Sequence, residues 1–247
     1  MKRSNVTHEI ADPSEVNRFA AIAERWWDPS GETSELHHIN PARLSYIHDW
    51  CCAHFSRDPN IRNPFTGLTV LDVGCGGGLL CEPLTRLGAS VIGIDPTPET
   101  IHVARAHAAQ MELEIDYRIA TPNELVSSNN HYNIVLNLEV IEHVSDPFSH
   151  TQACAQLLAP GGIMVLSTLN RNFRSFITAI VAAEYILGWL PVGTHRWHRF
   201  VKPSELAQHV RDAGLRLANV SGLTLTDGEW EVTTDIGVNY LAIAIKD

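Results

Sequence analysis

The apolar positions change period near residue 68. Ahead of that point Val16, Phe19, Ala20, Ala23, Trp26 and Trp27 recur at helical spacing. Asp12-Pro13-Ser14-Glu15 reads as the start of this helix, with Asp12 as N-cap and Pro13 in the first turn, and Asp28-Pro29-Ser30-Gly31 reads as its end. A second helix is expected to begin near Asn40-Pro41 and to run through Leu44, Ile47 and Trp50. Residues 56–67, rich in Pro and Asn, read as a loop.

From Thr69 onward short apolar runs alternate with helical stretches. Strands are expected at 69–73, 90–94, 115–118, 133–138 and 163–168, and helices at 79–87, 97–109 and 151–158, the last closed by Pro160-Gly161-Gly162. A helix at 203–213 capped by Gly214 precedes two final strands at 215–220 and 238–245. Short apolar strands separated by helices imply a mostly parallel sheet with both faces covered and right-handed crossovers. The last strand, reached by a short connection, is expected to be antiparallel. The expected fold class is therefore α/β, a Rossmann-like seven-stranded sheet. It carries a helical N-terminal cap (1–67) on a core domain (68–247), the two forming one structural unit.

Composition narrows the function classes. The 247 residues are 45% apolar and carry a formal net charge of −10, which suits one large domain and disfavours a nucleic-acid surface. The five cysteines are odd in number and lack C-x-x-C spacing, so a reducing, cytoplasmic setting fits better than a disulfide framework. No apolar h-region follows Met1-Lys2-Arg3, and no secretory signal is read there. Between Arg174 and Arg196 the only charge is Glu184. Ser175, Thr178, Gly188, Pro191 and Gly193 interrupt this stretch, so it reads as a buried or interfacial helical insertion (171–200) and not as a membrane span.

The chemistry begins at Asp72-Val73-Gly74-Cys75-Gly76-Gly77-Gly78, a glycine loop between a strand and a helix at the carboxyl edge of the sheet, where open α/β folds bind ligands. Asp95, 21 positions after Gly74 at the tip of the second strand, is placed to accept hydrogen bonds from ribose hydroxyls. A nicotinamide-binding oxidoreductase uses the same devices, but its third glycine falls here on Leu79. The form of the loop matches nucleoside-binding methyltransferases. At the tip of the fourth strand Glu139, Glu142 and His143 stand at i, i+3 and i+4, which in a helical turn would put all three on one face. Such a triplet holds a divalent cation or acts as an acid–base cluster; its bland reading is a helix cap.

At these residues the chain resembles the ubiquinone-biosynthesis O-methyltransferase family. The resemblance rests on Arg25-Trp26-Trp27-Asp28, Ile39-Asn40-Pro41-Ala42-Arg43, the glycine loop, Glu139-Val140-Ile141-Glu142-His143, Ser167-Thr168-Leu169-Asn170-Arg171-Asn172 and Val238-Asn239-Tyr240, and spans about Asn5 to Tyr240. It implies a class I methyltransferase fold and S-adenosylmethionine as cofactor. It also implies methylation of phenolic hydroxyls on 2-polyprenyl-6-hydroxyphenol and 3-demethylubiquinol, within a multi-enzyme assembly. The family's cofactor contacts carry over to Arg43, Gly74 and Asp95, and to Leu138 where the family has Met. Its metal dependence carries over to Glu139, Glu142 and His143, with Mg²⁺ expected. In that setting Arg43 clamps the methionine carboxylate of the cofactor, and His143 is the base if no metal is used. Trp26 and Trp27 are expected to pack as core or lid and not to stack on ligand. The low-charge segment, 173–192, becomes a candidate apolar surface for peripheral attachment to the membrane that holds a polyprenyl substrate; packing on the domain or in a dimer is its equal alternative. Two departures stand out: 51–67 is longer than the usual linker, and Pro96 follows Asp95. Another small-molecule O- or N-methyltransferase is the competing reading, and it leaves the low-charge segment unexplained.

Overall fold

The computed structural model describes residues 12–176 and 197–247. The first helix, α1 (Pro13–Ile22), starts where expected: the Asp12 carboxylate accepts the Ser14 N–H, and Pro13 fills the first turn, where no donor is needed. A 3-10 turn, Ala23–Arg25, carries the chain to the two tryptophans. The second helix, α2 (Ser34–His54), begins six residues before the expected start and holds Pro41 inside it. Proline removes one i→i−4 bond, but the first turn has other anchors. The Thr33 hydroxyl donates to the Trp26 carbonyl at 3.0 Å, and His37 Nε2 lies 2.9 Å from the same oxygen.

The sheet then assembles from β1 (Thr69–Val73), β2 (Ser90–Asp95), β3 (Asp116–Ile119), β4 (Tyr132–Leu138), β5 (Leu158–Leu169), β6 (Arg216–Thr226), β7 (Glu229–Thr233) and β8 (Asn239–Ile245). The helices α3 (Cys81–Arg86), α4 (Pro98–Gln110), α5 (Pro122–Val126) and α6 (Pro147–Leu157) follow β1 to β4, and α7 (Phe173–Ser175) and α8 (Pro203–Asp212) follow β5. Strand order is β3-β2-β1-β4-β5-β8-β6-β7, with β1 to β5 parallel and β8 antiparallel to both neighbours. This is the expected fold class with one more strand. The added strand, β7, pairs with β6 through Asp227-Gly228, both at positive φ, the backbone that a tight Asp-Gly hairpin turn requires.

Alternation along each strand divides the core. Val70, Ile134, Leu136, Ile163 and Val165 face a cluster built with Ile47 and Cys51 of α2 and Leu84 of α3. Their neighbours Leu71, Val73, Val135, Met164 and Leu166 face Cys154 of α6 and Leu206 of α8. Both faces are therefore dry, as the continuous apolar runs require. Helix α6 starts at Pro147, four residues before the expected start, because Asp146 caps it by accepting the Ser149 N–H. Among the described residues no helix is long and apolar enough to cross a membrane. Most of the low-charge segment, including Ile177, Ile180, Val181, Ile186, Leu187, Trp189 and Leu190, lies outside the described residues.

Candidate active site

The order β3-β2-β1-β4-β5 reverses direction between β1 and β4, and the carboxyl ends of these strands open on one edge of the sheet. There the glycine loop leaves β1. Gly74 N–H donates to the Ile94 carbonyl at 2.8 Å, tying the loop to β2. Gly76 lies at φ +52, and a Cβ on it would fall 2.1 Å from the Trp26 ring. The loop therefore needs glycine first to accommodate the protein's own side chains.

Asp95 ends β2 and is buried. Its carboxylate accepts the Thr97 N–H at 2.8 Å and the Gly76 N–H at 3.1 Å. Burial raises its pKa, and these backbone donors offset the rise only in part. Asp72, under the loop, is pushed up to about 7 by burial, with the Cys81 thiol donating to it at 3.2 Å. Leu138, in the last position of β4, is buried.

Beyond β4 the chain does not turn helical. Glu139 takes a left-handed backbone, φ +55, while its N–H continues the sheet by donating to the Ser167 carbonyl at 3.1 Å. The expected single helical face of Glu139, Glu142 and His143 is thereby corrected. Glu139 and Glu142 lie close enough for each to shift the other's protonation. His143 turns to α1, where its Nδ1 lies 3.2 Å from Glu15 Oε2 and Phe19 meets the ring edge-on. Among the described residues no three His, Cys, Asp or Glu side chains converge as a metal-binding group. The expected three-residue ligand set is not assembled, although the two carboxyls supply the oxygens a hard cation prefers.

The carboxyl pair is electrically asymmetric. Burial pushes Glu139 up, but the Arg43 guanidinium at 2.7 Å and the Ser167 hydroxyl at 2.7 Å outweigh it and bring the pKa below the usual value. Glu142 has the Thr168 hydroxyl at 2.9 Å, yet burial and the Glu139 charge drive its pKa well above the usual value. Glu142 thus keeps its proton where an exposed glutamate has lost it. Like charges this close separate their titrations.

Arg43 rises from α2 into this pair and is buried. One terminal nitrogen serves Glu139, while Nε has no hydrogen-bond partner among the described residues. That unmet donor fits a carboxylate delivered by a ligand. Sequence reading missed the residues that support Glu139 and Glu142, namely Ser167, Thr168 and Asn239, whose amide stands 3.4 Å from Glu139 Oε1. Their signal was present: they stand in the Ser167-Thr168-Leu169-Asn170 and Val238-Asn239-Tyr240 strings.

Residues 51–220 match a family model described as a methyltransferase domain. The chain is 48% identical over 238 residues to a ubiquinone biosynthesis O-methyltransferase of Cereibacter sphaeroides strain ATCC 17025, covering 95% of this chain and 96% of that one. It is 47% identical over 236 residues to the protein of the same name from Parvibaculum lavamentivorans, covering 94% and 93%. Among solved structures, magnesium protoporphyrin IX methyltransferase from Synechocystis PCC 6803 with bound SAH aligns with a TM-score of 0.68 at 20% identity, covering 96% of this chain and all of that one. This last likeness shows the fold.

Proposed function

The chain belongs to the ubiquinone-biosynthesis O-methyltransferases, and on that premise we propose that it methylates phenolic hydroxyls of a polyprenylated phenol and a demethylated quinol, using S-adenosylmethionine. The observation that carries the reading is the carboxyl pair of half-buried Glu139 and buried Glu142 under Arg43, beside the glycine loop. The cofactor supplies an electrophilic methyl on a sulfonium and leaves as S-adenosylhomocysteine.

The residues divide the work. Asp95 accepts from the ribose hydroxyls, Gly74 lets the loop lie close to the nucleoside, and Leu138 packs on it as an aliphatic surface. Arg43 takes the cofactor carboxylate with Nε, the nitrogen that neither Glu139 nor Asn40 occupies. The acceptor oxygen must become phenolate, and a free phenol has a pKa of about 10. His143, with Nδ1 directed at Glu15, takes that proton at Nε2. Magnesium held by Glu139 and Glu142 would lower the phenol's pKa. The S–CH₃ bond breaks, the O–CH₃ bond forms and the phenolic proton leaves on the base.

Attachment to the membrane that carries the acceptor is assigned to 173–192. Phe173 is 76% exposed at the described edge of that segment, with Phe176 and Trp197 also exposed nearby. Charge introduced at Ile177 and Ile180 should abolish binding to liposomes; unchanged binding by a folded variant removes this assignment.

The deciding experiment is an assay with short-chain 3-demethylubiquinol and methyl-labelled S-adenosylmethionine. The reading expects label in a phenolic methyl ether, one S-adenosylhomocysteine per turnover. Label on a nitrogen acceptor in preference to the quinol would replace it with the other small-molecule methyltransferase reading.

A further inference from the structure

The Arg25-Trp26-Trp27-Asp28 string takes no part in the chemistry above, yet both tryptophans sit on the glycine loop. Trp26 is 6% exposed, and its indole nitrogen is buried without a hydrogen-bond partner among the described residues. The loop fixes the position of the ring. A Cβ on Gly76 would meet ring atom Cε2 at 2.9 Å, and one on Gly77 would meet Cδ1 at 2.3 Å. Nε1 is bonded to both of these ring atoms, so the indole nitrogen lies beside the Gly76–Gly77 stretch of the loop.

Trp27 holds the turn in this position. Its own indole N–H donates to the Gly77 carbonyl at 2.9 Å. Its ring stacks on His107 of α4 with centroids 3.5 Å apart and planes 6° apart. His107 Nδ1 in turn lies 2.5 Å from Glu82 of α3, which is itself buried. The turn is thus fixed to the two helices that follow β1 and β2. The Trp26 N–H is out of contact with water, and burial of an unmet donor is unfavourable unless a partner arrives.

We infer that Trp26 is a cofactor-binding residue, its indole N–H donating to an oxygen of bound S-adenosylmethionine. The inference rests on the placement of the cofactor over the glycine loop proposed above. It also refines the expectation that Trp26 is packing alone: the ring packs, and the N–H is left for the ligand. Two kinds of oxygen qualify, the amino-acid carboxylate and the ribose hydroxyls. Loss of a donor to a charged oxygen weakens binding roughly tenfold or more, and to a neutral one about fivefold.

The test is calorimetric titration of the full chain and of Trp26→Phe with S-adenosylhomocysteine and with 5′-methylthioadenosine, which keeps the ribose but lacks the amino-acid carboxylate. Weaker binding of S-adenosylhomocysteine alone assigns the carboxylate; weaker binding of both assigns the ribose. Affinities within twofold of wild type for both ligands overturn the inference and leave the cofactor placement standing. A wild-type chain that binds neither ligand overturns both. A second measurement needs no variant: with ¹⁵N-labelled indoles, the Trp26 N–H resonance should shift on saturation with S-adenosylhomocysteine, and the Trp27 resonance, already bonded to Gly77, should shift much less. A Trp26 resonance that stays in place overturns the assignment whether or not Trp26→Phe folds.

Discussion

Arg43 reaches Glu139 across 96 residues of sequence, guanidinium nitrogen to carboxylate oxygen at 2.7 Å, with the arginine side chain only 4% exposed. This contact joins α2 to the end of β4 and sets the charge of the site. It also leaves Arg43 Nε unmet among the described residues, so a structural role and the proposed cofactor role meet in one side chain. The two roles separate by substitution. Arg43→Lys keeps the charge near Glu139 but loses the planar fork, so affinity for S-adenosylhomocysteine should fall about tenfold while the melting temperature changes little. Arg43→Ala strands the half-buried Glu139 carboxylate and should cost up to about 3–5 kcal/mol in thermal or denaturant unfolding. A lysine variant that binds as tightly as wild type would remove Arg43 from the cofactor site.

Glu142→Gln tests the carboxyl pair. The amide can still accept from Thr168, and it replaces the carboxyl whose pKa burial and the Glu139 charge hold well above the usual value. Stability should hold or rise, while kcat with the short-chain quinol falls about a hundredfold. Chelation should lower wild-type activity and added Mg²⁺ should restore it. Full wild-type activity in chelator, with Glu142→Gln still impaired, would make the pair a proton carrier and remove the cation. Full activity in Glu142→Gln would remove the pair from the chemistry.

The doubly wound core was legible because both faces of β1, β4 and β5 are buried, which writes their apolar runs directly into the sequence. Helix starts were harder. Pro41 has the form of a first-turn proline, yet α2 extends seven residues ahead of it, held by contacts to the Trp26 carbonyl that only the fold creates. Asp146-Pro147 repeats the cap of Asp12-Pro13 and was legible, as was the Asp227-Gly228 hairpin signal; both were passed over. At the site, the residue types at the tip of β4 pointed to acid–base or cation chemistry, but not to their directions. Glu139 occupies a backbone region that non-glycine residues rarely take, so a helical spacing argument placed His143 on the wrong side. Ser167 and Asn239 reach Glu139 through strand register, over 28 and 100 residues, which local pattern does not record.

Two glycines at positive φ should answer differently to alanine. Gly76 has φ +52 and the Trp26 ring 2.1 Å from where a Cβ would sit, whereas Gly161 has φ +71 and nothing within 4 Å. Gly161→Ala should cost only the backbone strain, about 1–2 kcal/mol. Gly76→Ala adds overpacking worth about 1–3 kcal/mol more. It should also weaken binding of S-adenosylhomocysteine, because relief of the clash moves Trp26 or the loop. Equal destabilisation of the two variants in denaturant unfolding would show that the Trp26 contact is loose.

Acid sensitivity should be written partly at His150. This residue of α6 is 2% exposed; its Nδ1 has no hydrogen-bond partner among the described residues, and Nε2 faces the Cys154 sulfur at 3.8 Å. Burial lowers its pKa from 6.5 to about 4. Between those values the unfolded chain binds a proton that the folded chain refuses, so stability rises with pH there and is lost as pH falls from about 6.5 toward 4. Above the unfolded value the group is neutral in both states and contributes no slope. The full loss is about 3 kcal/mol, because each pH unit between the two pKa values contributes roughly 1.4 kcal/mol. His150→Leu removes the titrating group and nearly conserves burial, so its unfolding free energy should fall less steeply over that window, by up to about 1.4 kcal/mol per pH unit. Above pH 7 the variant's curve should run parallel to that of the wild type. Parallel curves across the whole range from pH 4 to pH 7 would show that His150 is charged or solvated in the folded protein, and that acid lability originates elsewhere.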